Sequence, residues 1–484
     1  MRYETIIGFE THVELKTESK LFCDCAVRYE APPNSEVCPV CTGQPGALPV
    51  LNRRAVEFSI KAGLALNCRV NPNAQFARKN YFYPDLPKGY QISQYERPFC
   101  EDGHLEIVGD DGQPYPVGIK RIHLEEDAGK LVHSAESYEA ADYSLVDYNR
   151  ACVPLLEIVT DHTRNPLRSL NEARRYLEKL RQILQYIEIS DCVIEKGQFR
   201  CDVNISIRPE GAGDYGNRSE IKNMASFRYM MDALTYEVKR QRRLLASGKS
   251  PVQETRLFDE KKKITLPMRS KEDAPDYRYF PDPDLTEIHI DEAFVARVRD
   301  TMPELPDQKL DRIIDKYGIP RADALILTRD RAVSGFFEEC ALHCSEHRKI
   351  ANWIIKDLFR LLNENALSIE ACPFPPRDFA DLINFVVQGE ITDAIGRSVL
   401  EEMFQKGKAP RAIIAQKGIE LIKDAGELEK ICSEVIEEQT EAASQVRDGG
   451  TEPINFLIGQ VMKKTKGRAN PKKIREILQE RLTT

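Results

Sequence analysis

The first 293 residues carry apolar–polar alternation in many short runs, and the residues after about 294 carry almost none. Runs such as YETIIGFETHVEL, YQISQYERPF, HLEIVGDDGQPYPVGIKRIHL, LLEIVTD and CDVNISIRP are rich in β-branched residues at a period of two. That pattern predicts strands of a mixed or antiparallel sheet. Two helical patterns interrupt them. Residues 171–187 align Leu177, Leu180, Leu184 and Ile187 on one stripe. Residues 226–247 open at a Ser226 cap, carry the basic segment KRQRR and end before Gly248. The stretch APDYRYFPDPDL (274–285) reads as extended loop. Beyond it, helical patterns follow one another, and GKAP near 408–410 precedes a last set of short helices. The chain is therefore expected to be α+β, with a sheet-rich body over 1–293, a helical domain over 294–408 and a small helical tail over 409–484. A length of 484 residues is more than one core usually serves.

Several classes are excluded early. Apolar content of 42% with 30% charged residues argues against a disordered chain. No run of 18 apolar residues occurs, which rules out a membrane-spanning helix. The start MRYETIIGFE has neither the basic nor the apolar region of a secretory leader, and thirteen cysteines is an odd number. Reduced thiols in the cytoplasm are expected. With a net charge of -8, any nucleic-acid contact must come from a local basic patch.

Two constellations carry chemistry. Cys23-Asp24-Cys25 and Cys38-Pro39-Val40-Cys41 are separated by twelve residues, a spacing that suits a structural zinc ribbon. The alternative is four free thiols in a loop-rich hairpin. A second cluster, Cys340, His343, Cys344 and His347, shares one helix face. One helix cannot easily surround an ion, so core packing is expected there.

The other constellation is acidic. On a strand over 5–15, Glu10, His12 and Glu14 share one face and Phe9, Val13 and Leu15 the other. His123, Glu125, Glu126 and Asp127 lie in IKRIHLEEDAGK, Glu157 sits inside the apolar run PLLEIVTD, and Asp202 with Asn204 lies in CDVNISIRP. Carboxylates embedded in several strands suit a hard cation such as Mg²⁺ beside a phosphate-transfer step, if the fold brings them together. No GxxxxGK[ST] occurs, no GxGxxG opens a helix and no GxSxG elbow is present.

The runs ETHVELKTESKLFCDC, RKNYFYPDLPKGYQISQY, HLEEDAGK, SLVDYNRACVPLLEIVT, FRCDVNISIRP, EIKNMASFRYM and DYRYFPDPDL resemble, in order, the B subunits of the bacterial tRNA-dependent amidotransferases. The resemblance spans essentially the whole chain, and TEPINFLIGQVMKKTKGRANPKKIREIL resembles that family's YqeY-like tail. It implies a sheet-built cradle domain followed by an all-α domain and the tail. It also implies ATP-dependent phosphorylation of the side chain of Glu or Asp misattached to tRNA(Gln) or tRNA(Asn), then amidation by ammonia. The ammonia would come from an amidase-type A subunit, which a small C subunit would clasp to this chain. Position by position, Glu10, His12, Glu125 and Glu157 look like the family's Mg²⁺ ligands, with Asp202 beside the nucleotide. Lys79, Tyr81, Tyr83 and Lys88 resemble its ammonia-exit and phosphorylation-pocket segment, and Arg200 is a candidate for phosphate. Zinc, absent from some members, would be structural. Glu14 is read as a solvent-facing residue. In the tail, Lys463, Lys464, Lys466, Arg468, Lys472, Lys473 and Arg475 cluster about a Gly- and Pro-marked turn, a phosphate footprint in an acidic chain. The alternative class is a non-catalytic, zinc-stabilised tRNA-binding adaptor.

Overall fold

The computed structural model describes residues 3–134, 142–270, 276–418, 425–447, 453–465, 469 and 471–483. The chain divides into two compact units, Met1–Leu305 and Pro306–Thr484. The first is built on a nine-stranded sheet, the second on helices, so the fold is α+β.

From one edge to the other, the sheet runs through strands Ile264–Ser270, Glu254–Asp259, Ser219–Lys222, Phe199–Pro209, Tyr3–Glu14, Pro154–Thr160, Pro114–Glu126, Cys100–Val108 and Arg69–Val70. All neighbours are antiparallel except Ser219–Lys222 with Glu254–Asp259. That pair is joined through the helix Phe227–Ala246, because parallel neighbours need a crossover. The first strand is thus central, flanked by strands from far along the chain.

Alternation along that strand separates two environments. Ile7, Phe9 and Val13 are at most 1% exposed and enter the main core. There Tyr176 of the helix Leu170–Tyr186 stacks on Phe9 with ring centroids 5.7 Å apart. Removing a ring buried to this degree costs about 3–5 kcal/mol. Ser226, the cap read from sequence, accepts from the Tyr229 amide, and Ser169 caps the other helix by accepting from the Glu172 amide, each at 3.1 Å. Because the helices cover the apolar face, Glu10, His12 and Glu14 are left on the other.

The stretch expected to be loop contributes a short strand, Phe280–Pro281, paired with Ala77 and Arg78. Arg78 holds it by ion pairs to Asp282 (3.0 Å) and Asp284 (2.7 Å). The helix Glu292–Asp300 sends Val298 into the main core. In the second unit one apolar cluster gathers Phe337, Ile354, Phe379 and Leu400, and a separate one gathers Leu457, Ile474 and Leu478. Cys340 and Cys344 are buried in the former while His343 is exposed, since the helix ends at His343. Among the described residues no helix is long and apolar enough to cross a membrane.

Candidate active site

Strand register assembles the centre of the site. His12 is paired with Glu157 across one strand boundary, and Glu157 with His123 across the next. The three side chains therefore form a row on one face, and Glu125, two residues beyond His123, extends it. His12 Nε2 lies 3.4 Å from Glu157 Oε2 and 3.8 Å from Glu125 Oε1. His123 Nε2 lies 3.2 Å from Glu157 Oε2 and 3.6 Å from Glu125 Oε2. The Ser93 hydroxyl donates to Glu125 at 2.8 Å. His12, Glu125 and Glu157 can each offer a ligand atom within 4.8 Å of the others, a donor set able to hold a metal ion.

Burial opposes charge on both imidazoles, yet the carboxylates outweigh it. His12 is raised, and His123 is raised to about 9. Burial likewise opposes ionisation of Glu157, and the two histidines nonetheless hold it well below the usual carboxylate range. The carboxylates and imidazoles of this face thus favour one another's charged forms.

Glu10 stands outside this tight group. Its carboxylate accepts from Asn204 Nδ2 at 2.9 Å, and burial with the nearby charges of Glu157, Glu220 and Asp202 pushes its pKa up. Register sets Asp202 opposite Glu10 and Glu220 opposite Asn204, so a second carboxylate group continues across the sheet. Lys222 is ion-paired there with Asp202 and, at 3.0 Å, with Glu220.

The remaining candidates are distributed around these groups. Lys79 is half-buried and lies over the rings of Tyr277 (4.8 Å) and Tyr81 (5.6 Å). Burial opposes its charge, but Glu125 and Glu157 raise its pKa. Tyr81 packs edge-on to Tyr277. Tyr83 lies in the following loop, 42% exposed. Lys88 is paired with Glu126, next to Glu125 but turned to other partners. Arg200 is bound to Asp127 at 2.8 Å. Glu14, expected to face solvent, is instead 2% exposed, because the segment carrying Tyr29 closes over the end of its strand. The Tyr29 hydroxyl donates to Oε2 at 2.7 Å, and Oε1 has no partner. Burial, then the Asp127 charge, pushes the Glu14 carboxyl up to about 7.

In the sequence His123 and Asp127 stand within the acidic constellation without a role of their own, and Glu220 and Lys222 do not stand out. The alternation in IHLEE and in EIK was the available signal, since it sets His123 with Glu125 and Glu220 with Lys222 on common faces.

Cys23, Cys25, Cys38 and Cys41 converge with sulfurs within 4.8 Å of one another, a donor set that fits structural zinc. Lys20, fully buried, points Nζ at Cys41 Sγ (3.7 Å) and donates to the Tyr148 carbonyl (3.2 Å). In the tail, Lys463, Lys472 and Lys473 are exposed. Lys464 is held by Glu438 (2.6 Å) and Glu434 (3.2 Å), and Arg475 donates to Asn455 (2.6 Å). Lys466 and Arg468 lie outside the described residues.

A family model described as the GatB/GatE catalytic domain matches residues 5–296, and one described as the GatB domain matches 335–482. The B subunit of the aspartyl/glutamyl-tRNA(Asn/Gln) amidotransferase of Carboxydothermus hydrogenoformans is 48% identical over 480 residues, 99% of each chain. Those of Thermodesulfovibrio yellowstonii and Geotalea uraniireducens are also 48% identical, over 99% and 100% of each chain. The chain belongs to the family of amidotransferase B subunits.

Proposed function

We propose that this chain is the kinase and transamidase subunit of a tRNA-dependent amidotransferase, converting Glu-tRNA(Gln) or Asp-tRNA(Asn) to Gln-tRNA(Gln) or Asn-tRNA(Asn). The side-chain carboxylate of the aminoacyl group attacks the γ-phosphorus of ATP, releasing ADP. Ammonia then attacks the resulting acyl carbon; phosphate leaves, and the amide remains. The observation that carries this reading is the meeting of His12, Glu125 and Glu157 on one sheet face, in a chain of this family.

His12, Glu125 and Glu157 would hold Mg²⁺, with Glu10 and Asp202 next to it. Bound there, the cation would neutralise charge on the transferring phosphoryl group. Lys79, half-buried against Tyr277 and Tyr81, supplies a positive charge near Glu125. The four cysteines would hold zinc and brace the hairpin that follows the central strand. ATP is the co-substrate, ammonia comes from a glutaminase A subunit joined through a small C subunit, and the assembly works in the cytoplasm. The domains are read as a 1–293 cradle, a 294–408 helical domain and a 409–484 tail that binds tRNA by shape and charge.

Replacing Glu125 by Gln and assaying ATP-dependent formation of phosphorylated aminoacyl-tRNA tests the reading. Loss of the intermediate with tRNA affinity retained is expected. Undiminished activity would leave the adaptor class standing.

A further inference from the structure

A cavity of about 660 Å³ in the first unit lies at the end of the site's charged face rather than over its carboxylate row. Its wall includes Glu14, Tyr29, Arg150, Phe199, Arg200 and Asp202. Glu14 is the unusual member. It is 2% exposed, only one of its oxygens has a hydrogen-bond donor, and Oε1 has no partner. The nearby cations are already engaged. Arg200 is bound to Asp127 at 2.8 Å, and Arg150 spends its guanidinium on the carbonyls of Ala128 (2.9 Å) and Gly129 (2.8 Å). Asp127 stands beside Glu14, hydrogen-bonded to its carboxyl when that is protonated and repelling its charge when it is not. Once ionised, Glu14 has a buried oxygen on the cavity wall with no donor, which is costly, and a ligand carrying cationic N–H groups relieves that cost.

We propose that Glu14 is a substrate-binding residue that accepts a hydrogen bond from the α-ammonium of the aminoacyl group. This rests on the reading of the chain as an amidotransferase component. Glu14 and His12 share a strand face two residues apart, a separation of about 7 Å. A glutamyl or aspartyl skeleton bridges it, with the α-ammonium at Glu14 and the side-chain carboxylate toward His12, Glu125 and Glu157. Lys130 and Lys196, both exposed, line the same cavity and suit the phosphates of the acceptor strand outside it. The arrangement selects charged over uncharged tRNA by reading the one cationic group that aminoacylation adds. Free ammonium, the other source of cationic N–H groups in this reaction, has the same chemistry.

The test uses the complete amidotransferase with Glu-tRNA(Gln) and with N-acetyl-Glu-tRNA(Gln), which lacks the α-ammonium. In the wild type, N-acetylation should raise KM by about tenfold or more. In Glu14→Leu, KM for Glu-tRNA should rise by a similar factor, and N-acetylation should then add little. Glu14→Gln, which keeps an accepting oxygen, should fall between them. KM for ammonium chloride as nitrogen donor should not move. Equal kcat/KM for both tRNAs in the wild type overturns the inference without any variant. So does the same N-acetylation factor in wild type and Glu14→Leu, or an effect of Glu14→Leu on the ammonium KM alone. Absence of any ATP-dependent amidation by the wild-type complex would instead defeat the underlying functional reading.

Discussion

His123 Nε2 lies 3.2 Å from Oε2 of Glu157, the same oxygen that His12 Nε2 approaches to 3.4 Å. One buried carboxylate oxygen thus serves two imidazoles, and Glu157 and Glu125 together raise His123 to about 9 against the opposing effect of burial. At neutral pH this proton occupies a place in the charge balance that a divalent cation must take over.

Binding of Mg²⁺ should therefore expel protons. At pH 8, below the raised His123 value, about one to two protons should be released per ion, falling as pH rises past 9. His123→Gln should release about one fewer. Titration calorimetry in buffers of different ionisation heat measures this, and equal release by both proteins would show that His123 does not couple to the ion.

Glu14 should make stability fall with rising pH. Burial and Asp127 raise its carboxyl to about 7, so the folded chain holds this proton more tightly than the unfolded chain does. The penalty is absent below the ordinary carboxylate range, grows as pH rises and is complete above pH 7, at about 3 kcal/mol. Glu14→Gln removes it, so the variant should gain Tm relative to wild type between pH 5 and 8. Parallel Tm-against-pH curves would contradict this.

Loss of the cysteine knuckle should destabilise the first unit without touching the carboxylates. Cys38→Ser, or prolonged chelation, should cost about 3 kcal/mol and lower Tm by roughly 5–10 °C. Metal analysis should give about one zinc fewer per chain. A variant with full zinc content and unchanged Tm would remove the structural role.

The tail lysines should not be equivalent. Lys463 is exposed, whereas Lys464 is held by Glu434 and Glu438. Lys463→Ala should reduce the salt slope of tRNA binding by about 1, and Lys464→Ala by less. Deleting 409–484 should weaken tRNA binding while glutaminase activity of the complex persists. Unchanged tRNA affinity after the deletion would sink the assignment of this region.

The strands Tyr3–Glu14, Pro114–Glu126, Pro154–Thr160 and Phe199–Pro209, both long helices and the Ser226 cap were legible in sequence because alternation, amphipathic stripes and Ser caps are local signals. Glu14 was misread for the same reason. Alternation put it on the polar face, but its burial depends on Tyr29, which folds back from beyond the strand's end. His123 and Lys222 could be placed on faces, yet their partners come from other strands, and register is a tertiary property. The cysteines announced their meeting by spacing; buried Lys20 beside them gave no such signal, since an isolated Lys normally stays in water.

The central position of the strand Tyr3–Glu14 bears on how the molecule is made. Its two neighbours, Pro154–Thr160 and Phe199–Pro209, follow it by about 140 and 185 residues. On a ribosome adding about 5–20 residues per second, the strand waits on the order of ten seconds or more for its first pairing edge. During that interval Ile6, Ile7, Phe9 and Val13 are an unpaired apolar ribbon, the kind of segment that seeds aggregation. Glu10, His12 and Glu14 alternate with other residues through the second half of the strand, where charge works against pairing of the nascent strand with copies of itself.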